Sequence, residues 1–183
     1  MSQQTEPYAW DIRRERAEDE PRITALTEAG FGPGRYAKSA YRLREGVNAV
    51  ADLSFVAIEN GILRGSVRFW PIKVDANPSL LLGPLAVDSA ERGRGIGISL
   101  MQAGIAAART AGWHTILLVG DEPYYSRVGF VKLAPGRLRF PGPVDSNRLL
   151  GLALTDGALE KLSGAIRRAE IDQPNCADGA PLG

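Results

Sequence analysis

The chain has 183 residues, 44% hydrophobic and 23% charged, with 22 Lys and Arg against 21 Asp and Glu for a formal net charge of +1. That composition fits one domain with its own core, and the balanced charge excludes a global field drawing the protein to nucleic acid or an anionic membrane. The lone Cys176 excludes an internal disulfide framework and a cysteine-based zinc cluster; the absence of a signal-type leader or a spanning apolar run gives a soluble, cytoplasmic protein as the expectation.

In chain order, residues 10–14 read as a short strand. Residues 18–32, EDEPRITALTEAGFG, carry acids and Pro21 in a first turn and Gly30 near the end, which are helix start and stop signals. Residues 34–46, GRYAKSAYRLREG, read as a second helix with Tyr36, Ala40 and Leu43 on one side and a basic polar face. Residues 49–74 alternate in polarity on both sides of Asn60 and Gly61, a pair that tolerates the positive φ of a tight turn, and so read as a β-hairpin. SLLLGPLAV, residues 79–87, is nearly all apolar, as in a strand buried on both faces. Gly83 and Pro84 interrupt it. Proline donates no ladder hydrogen bond, so the sheet is expected to bulge or part from a neighbour there.

A helix is expected over residues 96–111, with Ile98, Met101, Ile105 and Ala108 on one face and Gly112 as its stop. HTILLV (114–119) follows as a buried strand, DEPYYSRV (121–128) as a helical turn, and GFVKL (129–133) as an edge or continuation strand. RLLGLAL (148–154) is a last strand and DGALEKL (156–162) a weak helix. One domain over residues 1–168 and a disordered tail over 169–183, rich in Pro, Gly and small residues, complete the expected organisation. The order of elements gives a mixed sheet with helices on both sides rather than a repeating βα ladder.

The most informative stretch is RGRGIGI, residues 92–98. Gly93, Gly95 and Gly97 leave backbone N–H groups bare, the helix that starts there adds its unpaired donors and the positive end of its dipole, and Arg92 and Arg94 add charge. Together these make an anion cradle suited to a pyrophosphate. The competing reading is a basic surface turn that caps a helix. A P-loop is excluded because Gly97 is followed by Ile98 and Ser99 rather than Lys and Ser or Thr. A dinucleotide fingerprint fails because Ile98 stands where its third glycine belongs, although Asp121 imitates the ribose-binding acid and keeps a nucleotide-binding oxidoreductase as a rival.

Arg92, Gly95 and Gly97 fill the Arg/Gln-x-x-Gly-x-Gly/Ala signature of the GNAT N-acetyltransferases, and Tyr125, Gly129 and Phe130 fill its Tyr-x-x-x-Gly-Phe. The chain resembles that family over residues 8–165. The resemblance is nearest to small stand-alone bacterial members with a double tyrosine after a Gly-Asp, here GDEPYYSRVGF. It implies an α/β fold of mixed α+β type, with a mostly antiparallel central sheet splayed between its fourth and fifth strands. It further implies acetyl-CoA as co-substrate, its pyrophosphate on the amides of Arg92, Gly93, Arg94, Gly95, Ile96, Gly97 and Ile98, and its pantetheine arm along Leu85, Ala86 and Val87. No metal is called for. The implied reaction is acetyl transfer to the primary amine of a small molecule or protein, by direct attack in a ternary complex; a homodimer is a family-level expectation.

Such a transfer needs a donor to the thioester oxygen and a proton for the departing thiolate. The Leu85 amide is the candidate for the first and the Tyr125 phenol for the second, with Tyr124 assigned to packing. The base has no candidate on LLLGPLAV, which carries no carboxylate. Asp121 and Glu122 stand nearby, Asp121 equally placed to cap a helix. That gap keeps a catalytically idle acyl-CoA-binding or sensing module as the alternative. His114 reads as a structural imidazole, Trp70 and Pro71 as core, and Arg127, Lys132, Arg13, Arg14 and Arg16 as surface charge, the first two with an option on the 3′-phosphate of CoA.

Overall fold

The structure, a computed structural model, describes residues 9–32 and 39–170. Its elements are β1 (Asp11–Arg14), α1 (Glu20–Phe31), α2 (Ser39–Arg42), β2 (Phe55–Glu59), β3 (Ile62–Val74), β4 (Asn77–Val87), α3 (Ile96–Thr110), β5 (Thr115–Val119), α4 (Glu122–Tyr125), β6 (Val131–Lys132), β7 (Leu138–Arg139), β8 (Leu149–Ala153) and β9 (Gly164–Arg168). The main sheet runs β1-β2-β3-β4-β5-β8-β6. All its pairs are antiparallel except β4–β5. The short β9 pairs antiparallel with the far end of β3 and parallel with β7.

The β2–β3 hairpin turns on Asn60 and Gly61 at φ of 51° and 75°, as that pair favours. Alternation along each strand then loads both faces of the sheet. Ala57, Val67, Phe69, Leu80, Leu82, Ile116 and Leu118 pack under α3, while Val56, Leu63 and Ala86 pack under Ile23 and Leu26 of α1. Leu81, Leu117 and Ile72 share that second side with Leu43, just past α2. Pro21 opens α1 as read from the sequence, and Gly32, at φ of 64°, ends it.

Helix α3 turns inward the face read from the sequence and widens it. Leu100 and Gly104 join Met101, Ile105 and Ala108 against the sheet, whereas Ile98 is only half-buried. Gly104 is there because Phe69 needs its space: a Cβ at Gly104 would stand 2.3 Å from Cε2 of that fully buried ring. Gly104→Ala is therefore expected to cost about 1–3 kcal/mol, read as a fall of roughly 3–10 °C in the Tm.

Other differences lie at the C-terminal end. Residues 156–162 form turns rather than a helix, because Gly157 takes a left-handed φ of 73° one residue into the segment. Strands β7 and β9 escaped the sequence reading: β7 has two residues, and β9, GAIRR, buries only Ile166 strongly among its apolar side chains. Tyr36, Cys176 and most of the C-terminal tail lie outside the described residues, which leave Ser39–Arg42 as the helical part of the second predicted helix.

Candidate active site

Where β4 leaves β5, the sheet opens. The two strands pair only at Leu80 with Ile116 and Leu81 with Leu117. Just beyond, β4 places Gly83 and Pro84 opposite the single Arg68 of β3, as the register steps from Phe69–Leu82 to Val67–Leu85. This is the bulge expected from the sequence, with Gly83 at φ of 123° and a cis Gly83–Pro84 peptide. The Asp88 N–H donates to Arg64 O at 2.7 Å. Antiparallel pairs alternate between bonded and non-bonded, so Ala86 turns its backbone polar groups to Ser66 of β3. Leu85 and Val87 turn theirs the other way, into the gap where β5 no longer answers.

The glycine loop stands at the end of this gap. Gly93 and Gly95 take left-handed φ of 82° and 96°, and Gly95 caps α3, whose first amides have no partner within the helix. The two arginines separate here. Arg92 is exposed, without a carboxylate partner among the described residues. Arg94 forks Glu59 at 2.7 and 3.0 Å, pairs with Glu91 and lies 5.4 Å from the Trp10 ring centroid. Its guanidinium holds the buried Glu59 carboxyl below the usual range, and the carboxylates raise its own pKa. Arg94 therefore fastens the loop to the hairpin, a task its sequence position did not disclose.

Tyr124 and Tyr125 project from α4 in an edge-to-face pair, 5.1 Å between centroids. Tyr125 packs edge-on to Phe130 at 6.1 Å and over Gly120, where a Cβ would fall 2.3 Å from its ring. Burial pushes its pKa up to about 12, with the neighbouring Tyr124 and Asp121 acting in the same direction. Tyr124 does more than pack: its Oη lies against Gly97, 2.1 Å from where a Cβ there would sit. The pairing explains why Gly97 is bare, and burial raises the Tyr124 phenol as well.

Tyr125 and Leu85 share the wall of a cavity of about 690 Å³ that runs from the gap to α1 and α2. Trp70 lines it too. The sequence reading placed Trp70 in the core, and it does pack, half-buried, on the core cluster across the sheet from Phe69 while also facing the cavity; its Nε1 donates to Gly83 O at 2.6 Å. Neither acid proposed as a base lines the cavity. Asp121 begins α4 without a side-chain cap bond and instead meets Arg148 at 3.3 Å, and Glu122 meets Lys132 at 3.0 Å. The carboxylates that do line it are Glu20, Glu28, Glu45 and Asp145. Arg13 is not merely a surface charge, since it forks the buried Asp19 at 2.7 and 2.8 Å. His114 is exposed and contacts Thr155 Oγ1 at 3.1 Å. Among the described residues no group of three or more His, Cys, Asp or Glu could hold a metal, and no helix is long and apolar enough to cross a membrane.

Residues 51–132 match the acetyltransferase (GNAT) domain family. The protein named uncharacterized N-acetyltransferase YhbS in Escherichia coli K12 is 32% identical over 162 residues, 87% of this chain and 96% of that protein. The crystal structure of Escherichia coli YhbS in complex with CoA superposes with a TM-score of 0.76 at 30% identity, over 91% of this chain and 93% of that one. A GNAT family acetyltransferase of Brucella melitensis in complex with acetyl-CoA matches 75% of this chain and 94% of its own at 34% identity, TM-score 0.58. With bulge, glycine loop and tyrosine motif set around one gap and relatives alike along most of its length, the chain belongs to the GNAT family of N-acetyltransferases.

Proposed function

We propose that the protein moves the acetyl group of acetyl-CoA directly onto a primary amine, with both substrates bound at once and no covalent enzyme intermediate. One observation carries this reading: Leu85, whose backbone groups turn away from β3 into the gap, and Tyr125 line one cavity at the mouth of the β4–β5 gap. The CoA and acetyl-CoA bound to the relatives from Escherichia coli and Brucella melitensis support it. In this reading the unpaired amides of residues 92–98 and the free charge of Arg92 receive the pyrophosphate. The pantetheine arm enters the gap as an added strand, pairing with the backbone of Leu85 and Val87; Ala86 supplies the strand and not the bond.

The amine lone pair attacks the thioester carbonyl carbon, and the oxygen that gains the charge accepts the Leu85 N–H. As the C–S bond breaks, Tyr125 gives its phenolic proton to the thiolate and is reprotonated from solvent. The amine loses its protons to water held by the cavity carboxylates of α1, since β4 offers none.

Isothermal calorimetry with CoA and CoA release from acetyl-CoA across an amine panel test this directly. Heat with CoA and turnover with an amine are expected; no heat overturns the site, and heat without turnover on any amine assigns an idle acyl-CoA-binding module. Arg92→Ala is expected to weaken CoA by about 10-fold through one lost charge-assisted contact. Arg94→Ala should instead lower the Tm, with a smaller effect on affinity.

A further inference from the structure

Arg44 stands in the turn after α2, its N–H bonded to Tyr41 O at 2.9 Å, and its guanidinium lies in the cavity wall. It sits 5.9 Å from the Trp70 ring centroid. Its Nη2 is 3.1 Å from the point a Gly83 side chain would reach, and the Leu85 amide nitrogen is 3.9 Å from the same point. Arg44 Nη2 thus lies within about 7 Å of the Leu85 amide nitrogen assigned to the oxyanion.

What sets it apart is the lack of a counter-ion. The other arginines of this wall are paired: Arg68 with Glu15 at 2.9 Å and with Glu20, Arg148 with Asp121 at 3.3 Å. Arg44 meets no carboxylate among the described residues, and its Nε is closed off from solvent with no hydrogen-bond partner. Desolvation pulls its pKa down to about 10, which still leaves it charged at neutral pH. A desolvated, unpaired cation is a cost to the fold unless something else brings the anion. The phosphates of CoA do not serve, because the residues of the glycine loop lie outside this cavity. Trp70, whose N–H is spent on Gly83, adds an apolar part to the same cavity wall, against which the stem of a small ligand can lie.

We propose that the acceptor is a small amine carrying a carboxylate within a few bonds of its nitrogen, and that Arg44 binds that carboxylate. The assignment rests on the cavity being the acceptor site. Arg44 sets the choice of substrate and the distance from anion to amine, while Leu85 and Tyr125 act on the acetyl group.

Acceptor pairs that differ only in the carboxylate test it: α-, β- and γ-amino acids against the amines left after decarboxylation, with aminoalkylphosphonates as a third arm. The carboxylated member is expected to show a kcat/KM roughly 10-fold to 100-fold higher, from one charge-assisted fork. Arg44→Gln should collapse that ratio toward one through KM, and Arg44→Lys should restore part of it. Preference for the phosphonate keeps the arginine–anion pairing and changes only the anion. A decarboxylated amine preferred by the wild type, or a ratio untouched by Arg44→Gln, overturns the proposal. Thermal shift with the same pairs gives a readout that needs no turnover: the carboxylated amine should raise the Tm of the wild type and not of Arg44→Gln. Arg44→Met should raise the Tm of the ligand-free protein by removing an unpaired charge; a fall, with the acceptor ratio intact, marks a purely structural arginine. CoA calorimetry on each variant separates failure of this inference from failure of the acetyl-CoA site.

Discussion

Tyr125→Phe is expected to lower kcat roughly 100-fold to 1000-fold while leaving the KM for acetyl-CoA and the Tm close to wild type. The ring makes the packing contacts, with Phe130 at 6.1 Å and over Gly120, and phenylalanine keeps them all. Only the hydroxyl, the proposed proton donor, goes. The pH behaviour follows from the same burial. With its pKa pushed up to about 12, Tyr125 stays protonated through the neutral and mildly alkaline range, so it contributes no basic limb to kcat there. The sign of the stability effect is fixed as well. Below about pH 10, the ordinary value of an exposed phenol, it is protonated in both folded and unfolded chains and gives no pH dependence. Between that value and about 12 the unfolded chain ionises first, so stability falls as pH rises. A Tyr125→Phe variant with wild-type turnover would move the proton donor elsewhere, and Tyr124, whose hydroxyl reaches Gly97, would be next to test.

The parts of the site written as local backbone rules were legible in the sequence. Gly83 and Pro84 forecast the bulge because one carries no Cβ and the other no N–H, and both properties act wherever the strand lies. The glycines at 93 and 95 forecast a turn with bare amides for the same reason, and the spacing from Tyr125 to Gly129 and Phe130 carried the tyrosine. Contacts between distant segments were not legible. Arg94 reads as part of the cradle until Glu59, 35 residues earlier, is seen to claim it. Arg44 reads as one base in a basic helix face until the fold places it over Trp70 without a carboxylate. Trp70 itself was recoverable, since the alternation that buries Phe69 under α3 sends its neighbour to the other side. Strand β9 was not, because its pairing with Ile72, Lys73 and Val74 is decided by where β3 ends and hardly by GAIRR.

Gly95→Val is expected to weaken CoA binding by about 100-fold or more, the equivalent of two charge-assisted backbone contacts. At φ of 96° a β-branched residue is strained, by about 1–2 kcal/mol, so the Tm should fall by a few degrees. Strain alone does not account for the expected loss of affinity, and a matched substitution separates the two. Gly136, in the turn between β6 and β7, has a similar φ of 78° and, like Gly95, open space where a side chain would begin, with no atom within 4 Å of the Cβ position. Gly136→Val should carry a comparable thermal penalty and leave CoA affinity unchanged. The difference between them isolates what the loop does: in the proposed reading the empty space beside Gly95 is kept for a diphosphate, with the turned amides as its partners. Equal CoA affinity in the two variants would mean that the glycines serve the turn and not the ligand, and the pyrophosphate would have to be placed elsewhere.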